Sequence, residues 1–292
     1  MRLTLIPVVG CLLVATLAQA QTPAPVVQPK SVQIFGQKIY YLESQGTGPA
    51  VILLHGSGAS SAHWRLTIPA LTQFKVYAPD HLGFGQSDKP AINYRIQTLV
   101  DMLDEFYLQT GITKATLVGS SMGGWVAAAF AAAHPDKVER LILVDSSGYS
   151  QKRWGGPPVD RNTMLRLNPS TLQGMRELLT TLFSNKALVT DAAVKGAFQQ
   201  KLAAGDGDVI NSFIESIMRD EDYLDGKLAG IKAPTFLIWG KDDVLVPAAV
   251  AKAFQEDIKG STLTVLERCG HVPQLECSGP FNTALLAALG GK

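Results

Sequence analysis

Thr116-Leu117-Val118-Gly119-Ser120-Ser121-Met122-Gly123-Gly124-Trp125, with the Ala-rich run that continues to Ala133, is the stretch from which the fold is read. A short aliphatic run ends at Val118, glycines stand two residues before and two after Ser121, and good helix formers follow at once. Strand, sharp turn and helix therefore coincide within a few residues. Such a turn belongs to an α/β sheet, in which a strand feeds directly into a crossover helix.

The same alternation extends in both directions. Val51–Leu54, Phe74–Ala78, Leu141–Val144, Thr235–Trp239 and Leu263–Leu266 are apolar runs of strand length, predicted to be buried on both faces. Arg95–Gln109, Met122–Ala133, Ala248–Asp257 and Phe281–Leu289 carry helix formers and end near Gly or Pro, so they are expected to cover the sheet. Val32–Phe35 and Ile39–Leu42, joined across Gly36, read as an opening hairpin. One interval breaks the rhythm: residues 147–230 show no strand pattern, while Thr171–Ser184, Asp191–Ala204 and Val209–Met218 read as amphipathic helices, with a turn at Gly205-Asp206-Gly207-Asp208. The expected organisation is a core of residues 31–146 and 231–292 interrupted by a helical insertion.

The chain has 292 residues, 46% hydrophobic and 17% charged, which suits one sizeable domain with an insertion. Lys and Arg total 26 against 25 Asp and Glu, so no positive field draws in nucleic acid or anionic membrane. The first twenty residues stand apart. Arg2 precedes an apolar run from Leu3 to Leu17, and Ala18-Gln19-Ala20 fits a small-x-small cleavage site, so residues 1–20 are expected to be an export signal and the mature chain periplasmic or secreted. As an anchor the run is short of the ~20 apolar residues of a span and is broken by Pro7, so no membrane span is expected in the mature chain. Val8-Val9-Gly10-Cys11 faintly resembles a lipobox, but Cys11 lies before most of the apolar run. Pro23, Pro25 and Pro29 mark residues 21–30 as an extended tether. Cys269 and Cys277 remain, either as a small-loop disulfide or as two buried thiols.

A serine hydroxyl needs a hydrogen-bonded base, and that base needs a carboxylate. Ser121, at the centre of Gly119-Ser120-Ser121-Met122-Gly123, is the expected nucleophile. Of five histidines, His55 reads as structural, His134 as solvated at a helix end, and His63 and His81 as loop residues; His271 follows the last strand, at the carboxyl end where α/β sheets place functional groups, and is the expected base. Trp239-Gly240-Lys241-Asp242-Asp243 closes another strand, and on spacing alone either aspartate serves as the acid. Two amides are needed for the oxyanion: Met122, directly after the nucleophile, and Ser57, within His55-Gly56-Ser57-Gly58. Gly56-Ser57-Gly58-Ala59-Ser60-Ser61 lacks the third glycine of a dinucleotide loop, and no zinc, calcium or P-loop signature occurs, so neither cofactor nor metal is expected.

Together these residues resemble the α/β-hydrolase superfamily from about Ser31 to the C-terminus. Asp80-His81-Leu82-Gly83-Phe84-Gly85-Gln86-Ser87 is similar to that family's Asp-x-x-Gly-x-Gly-x-Ser loop, and Trp239 to Asp243 is similar to its acid turn, which selects Asp243. The chain order Ser121, Asp243, His271 matches as well. The resemblance implies a lid over the site at residues 147–230. It implies acyl transfer to water through an acyl-enzyme, with ester cleavage of a small, largely apolar substrate as the expected activity. Cys269-Gly270-His271 and Phe281-Asn282 also resemble carbon–carbon hydrolases of ring-cleavage products, although the family's Glu-x-Pro is here Glu276-Cys277-Ser278-Gly279-Pro280. Cofactor-free perhydrolases or haloperoxidases share the triad, and some receptors keep the fold as binders without turnover. An aspartate-nucleophile alkyl-enzyme mechanism is disfavoured because Ser121 stands at the elbow. Trp125, Trp154, Phe183 and Phe213 are expected to line the pocket, with Met164, Phe198 and Met218 as further apolar lid residues.

Overall fold

The computed structural model describes residues 27–158 and 160–290; the expected export signal lies outside them. Eight strands, β1 (Val27–Ile34), β2 (Gln37–Ser44), β3 (Ala50–Leu54), β4 (Lys75–Pro79), β5 (Ala115–Ser120), β6 (Val138–Val144), β7 (Thr235–Gly240) and β8 (Thr262–Leu266), form one sheet. Their order is β1-β2-β4-β3-β5-β6-β7-β8. The β1–β2 and β2–β4 pairs are antiparallel and all others parallel.

Ten helices accompany the sheet among the described residues: α1 (Ile96–Thr110), α2 (Met122–Ala133), α3 (Gln151–Trp154), α4 (Arg161–Leu165), α5 (Leu172–Leu182), α6 (Asp191–Ala204), α7 (Gly207–Met218), α8 (Ala248–Asp257), α9 (Pro273–Glu276) and α10 (Ser278–Gly290). Helix α1 buries Ile96, Leu99, Val100, Leu103, Phe106 and Tyr107, one face at helical spacing, and ends where Gly111 takes the left-handed conformation at φ 71°. Helix α2 is apolar almost all round because it lies between the sheet and the segments that cover it. Helices α3 to α7 all fall between β6 and β7, where the sequence predicts the insertion.

Two expectations change. Residues 27–30 are strand and not tether: Val27–Lys30 pair with Ser44–Tyr41, and Pro29 is tolerated because β1 is an edge strand whose outer side needs no N–H. β8 is not buried on both faces, since it forms the other edge and most of its residues are open to solvent. Every residue of central β5, by contrast, is buried. The carboxyl ends of β3, β5, β6 and β7 lie together, and the loops that leave them build the site.

Candidate active site

Ser121 follows β5 as the N-cap of α2, with φ 55° and ψ −119°. A side chain in that region is strained, by about 1–3 kcal/mol, and persists only where the surroundings hold it. They do so here. The Ser121 N–H donates to the Val144 carbonyl at 3.0 Å, and the Ser121 carbonyl accepts from the amides of Gly124, Trp125 and Ser147 at 2.9, 3.1 and 3.3 Å. The flanking glycines are required by contact. A Cβ at Gly119 would strike the Gly123 carbonyl, and one at Gly123 would strike the carbonyls of Leu54 and His55. Gly56 packs on the other side, where a Cβ would stand 3.2 Å from the Ser121 Cβ. The 55–58 loop thus borders the hydroxyl, and no loop or cap hydrogen bond among the described residues uses the amides of Ser57 or Met122.

Asp243 and His271 meet at the ends of β7 and β8. His271 Nδ1 and Asp243 Oδ2 are 2.8 Å apart and both residues are buried. Asp243 Oδ1 accepts the amides of Leu245 and Val246 at 2.8 and 2.9 Å, which fix the orientation of the carboxylate. The motif around it is explained residue by residue. The Trp239 indole donates to the Val246 carbonyl at 2.8 Å and closes the turn, while Gly240 lies against the carbonyls of Cys269 and Gly270, leaving no room for a side chain. Asp242 takes no part in the pair; it accepts the Ser184 hydroxyl at 2.7 Å.

The histidine loop is tied down at several points. Cys269 and Cys277 form a disulfide that encloses His271, with Cα atoms 6.0 Å apart. The His271 N–H donates to the Leu182 carbonyl at the end of α5 at 2.8 Å. Glu276 accepts the amides of Gly270 at 2.7 Å, Ser184 at 3.1 Å and Asn185. Gln274, buried on α9, donates to the Ser120 hydroxyl at 3.2 Å and so ties the histidine loop to the elbow. A single acid, Glu276, therefore clamps the insertion to the loop that carries His271.

Of the other histidines, His55 and His134 have ring contacts of their own. His55 is buried, its Nδ1 2.8 Å from the Gly56 carbonyl and its Nε2 accepting the His81 amide at 3.0 Å. Burial lowers the pKa of both His55 and His81, and burial pushes His63 down to about 4, so all three are neutral at pH 7. His134 caps α2 beside Phe130, its Nδ1 3.6 Å from Asp104. The Asp80-to-Ser87 loop is a brace. Asp80 accepts the amides of Ser61 and Gln86 at 2.6 and 2.8 Å, the Ser87 hydroxyl donates to the Asp80 carbonyl at 2.6 Å, and a Cβ at Gly85 would strike the Asp80 carboxylate.

The aromatic residues expected in the pocket divide. Trp125 donates to the Asp222 carbonyl at 2.9 Å and stacks on Tyr223, and Phe213 is buried between Phe84 and Tyr94. Both carry contacts between the insertion and the body. Trp154 likewise lies over Gly156 and packs on the core. Phe183 sits between Leu182 and Ser184, which hold the histidine and acid turns, so its backbone is placed beside His271. Of the other apolar residues expected in the insertion, Met164 packs on the core, Phe198 is half-buried and Met218 is exposed. Ile210 comes from α7 to face the 55–58 loop, its Cδ1 3.5 Å from where a Gly58 Cβ would be.

One residue went unnoticed in the sequence. Asp145, directly after β6, is wholly buried, and it, Asp243 and His271 each offer a polar atom within 4.8 Å of the others. Its Oδ1 accepts the Gly240 amide at 2.8 Å. Asp243 already accepts two backbone amides and lies against the His271 ring.

A strained serine after the fifth strand, with acid and imidazole delivered by the turns after the seventh and eighth, is the layout of an α/β hydrolase. The chain belongs to the α/β-hydrolase family, whose model, described as the alpha/beta hydrolase fold, matches residues 49–186. It is 32% identical over 249 residues to a 2-hydroxymuconate semialdehyde hydrolase of Pseudomonas sp. (strain CF600), covering 82% of this chain and 86% of that relative. Among solved structures it is similar to a meta-cleavage product hydrolase from Pseudomonas fluorescens IP01, at 31% identity and TM-score 0.80, over 89% of this chain and 97% of that one. It is also similar to a membrane phospholipase A, a bacterial virulence factor, at 27% identity and TM-score 0.78, over 91% and 86%. No helix among the described residues is long and apolar enough to cross a membrane.

Proposed function

We propose that this chain is a serine hydrolase that cleaves a carbon–carbon bond beside a ketone in a small, unsaturated ring-cleavage product. The observation that carries the chemistry is the buried 2.8 Å contact of His271 with Asp243, beside a serine held in a strained turn. Asp243 holds the imidazole so that Nε2 accepts the Ser121 proton. Ser121 Oγ attacks the ketone carbon, and the amides of Met122 and Ser57 receive the oxyanion. The carbon–carbon bond breaks, its electron pair leaves as a conjugated enolate, and the imidazolium returns the proton to that carbon. Water, deprotonated by His271, then releases the acid from Ser121. A carbon leaving group departs only when its charge is delocalised, so the substrate requires the unsaturated carbonyl of a ring-fission product.

The bond type is supported by the relatives. Ester hydrolysis, by the same steps with an alkoxide leaving group, is the second reading. It is favoured by the likeness to a phospholipase and by the Cys269–Cys277 disulfide, which with the apolar N-terminal stretch suits an exported enzyme. Purified enzyme offered a 2-hydroxy-6-oxo-dienoate and a panel of p-nitrophenyl esters separates the two. Faster bleaching of the dienoate supports carbon–carbon cleavage; turnover of esters alone moves the assignment to an esterase, and turnover of neither leaves a binder.

A further inference from the structure

We propose that Asp145 is a second acid of the site, a buried carboxylic acid that keeps its proton at neutral pH and donates it to Asp243, tuning the basicity of His271. The count of donors decides which of the two acids is ionised. Asp243 receives three: the amides of Leu245 and Val246 and the His271 ring. Asp145 receives one, the Gly240 amide on Oδ1, and its Oδ2 is buried with no donor at all. Two carboxylates in a buried site cannot both ionise, and the better-solvated one takes the charge. Asp145 Oδ2 is satisfied only if it carries a hydrogen of its own. Burial first, then the Asp243 charge, raises the Asp145 pKa well above 3.8, as this arrangement requires.

The backbone holds the acid in place. Asp145 adopts φ 43°, and its N–H donates to the Ile238 carbonyl at 3.1 Å, which aims the side chain across the end of β7 toward Asp243. Other charged groups nearby are engaged elsewhere: Asp242 with Ser184, Glu276 with the amides of Gly270, Ser184 and Asn185, and Lys241 with Glu267. Asp145 is a positioning residue and does not touch substrate. Its proton withdraws part of the Asp243 charge from His271, so the imidazole is less basic than it would be over an isolated carboxylate. The effect on catalysis rests on the triad proposed above; the location of the proton does not.

The test uses the wild type, Asp145→Asn and Asp145→Ala. Infrared difference spectra at pH 7 are expected to show the carbonyl stretch of a protonated carboxylic acid in the wild type and to lose it in Asp145→Asn. Unfolding supplies a readout that needs no substrate. The native state keeps the Asp145 proton while the unfolded chain releases it above pH ~4, so the stability present at low pH is lost as pH rises toward the native pKa. The unfolding constant of the wild type relative to Asp145→Asn is expected to rise about tenfold per pH unit across that range. For kcat/KM, Asp145→Asn keeps a donor to Asp243 and leaves the acid limb in place, whereas Asp145→Ala moves it to higher pH; a merely structural residue would lower activity without moving the limb. Absence of the infrared band, or a ratio of unfolding constants independent of pH, overturns the proposal even if Asp145→Ala does not fold. If band and ratio are as expected but no substrate is turned over, the proton on Asp145 stands and the proposed function fails.

Discussion

Ser121 is held at φ 55° and ψ −119°, and that strain can be measured without any substrate. The comparison is between Ser121→Ala and Ser121→Gly. Neither has the hydroxyl, so its loss cancels, and the two differ only by a Cβ. In an ordinary position Gly is the less stable of such a pair by about 0.5–1 kcal/mol, because the unfolded chain gains freedom. At Ser121 the Cβ carries strain of about 1–3 kcal/mol. The difference leaves Ser121→Gly more stable than Ser121→Ala by about 1 kcal/mol. Urea unfolding of both variants at one pH reads this as a higher midpoint for Gly at equal slope. A midpoint for Ala equal to or above that of Gly would show that the turn is relaxed, and the argument that the fold stores strain at the nucleophile would fall.

Gly123→Ala drives a Cβ into the carbonyls of Leu54 and His55, neither of which can yield, and is expected to cost at least about 2 kcal/mol together with activity, read by thermal unfolding. Replacing Cys269 and Cys277 by Ser opens the short loop around His271; the loss, about 2–3 kcal/mol by loop-closure entropy, is expected in urea midpoints. Glu276→Ala removes the acceptor shared by Gly270, Ser184 and Asn185 and is expected to lower kcat with a smaller effect on global stability, because it frees the histidine loop from the insertion; unchanged kcat would count against the clamp.

The fold was legible because a parallel sheet writes itself as short apolar runs, and β3 to β7 lie where such runs occur. The edges were not. β1 starts at Val27 because an edge strand accepts Pro29, and β8 faces solvent although its residues read as apolar. Ser121, Asp243 and His271 stood out because each follows a strand in a motif with its own steric logic, from Gly119 and Gly123 to Gly240. Asp145 also follows a strand, and its position after Val144 was the available signal; it belongs to no motif, and only the sheet order brings it under Asp243. The aromatic residues could not be sorted by sequence, for a physical reason. Size and apolarity suit a pocket wall and an interface equally, and Trp125 and Phe213 serve the interface.

The proposed chemistry rests on Ser121 as a nucleophile activated by His271. Intact-mass analysis and peptide mapping after treatment with a fluorophosphonate test it most directly. One adduct is expected on the peptide carrying Ser121 in the wild type, slow labelling in His271→Ala and none in Ser121→Ala. A folded wild type that takes no label, or one labelled equally fast without His271, would contradict it.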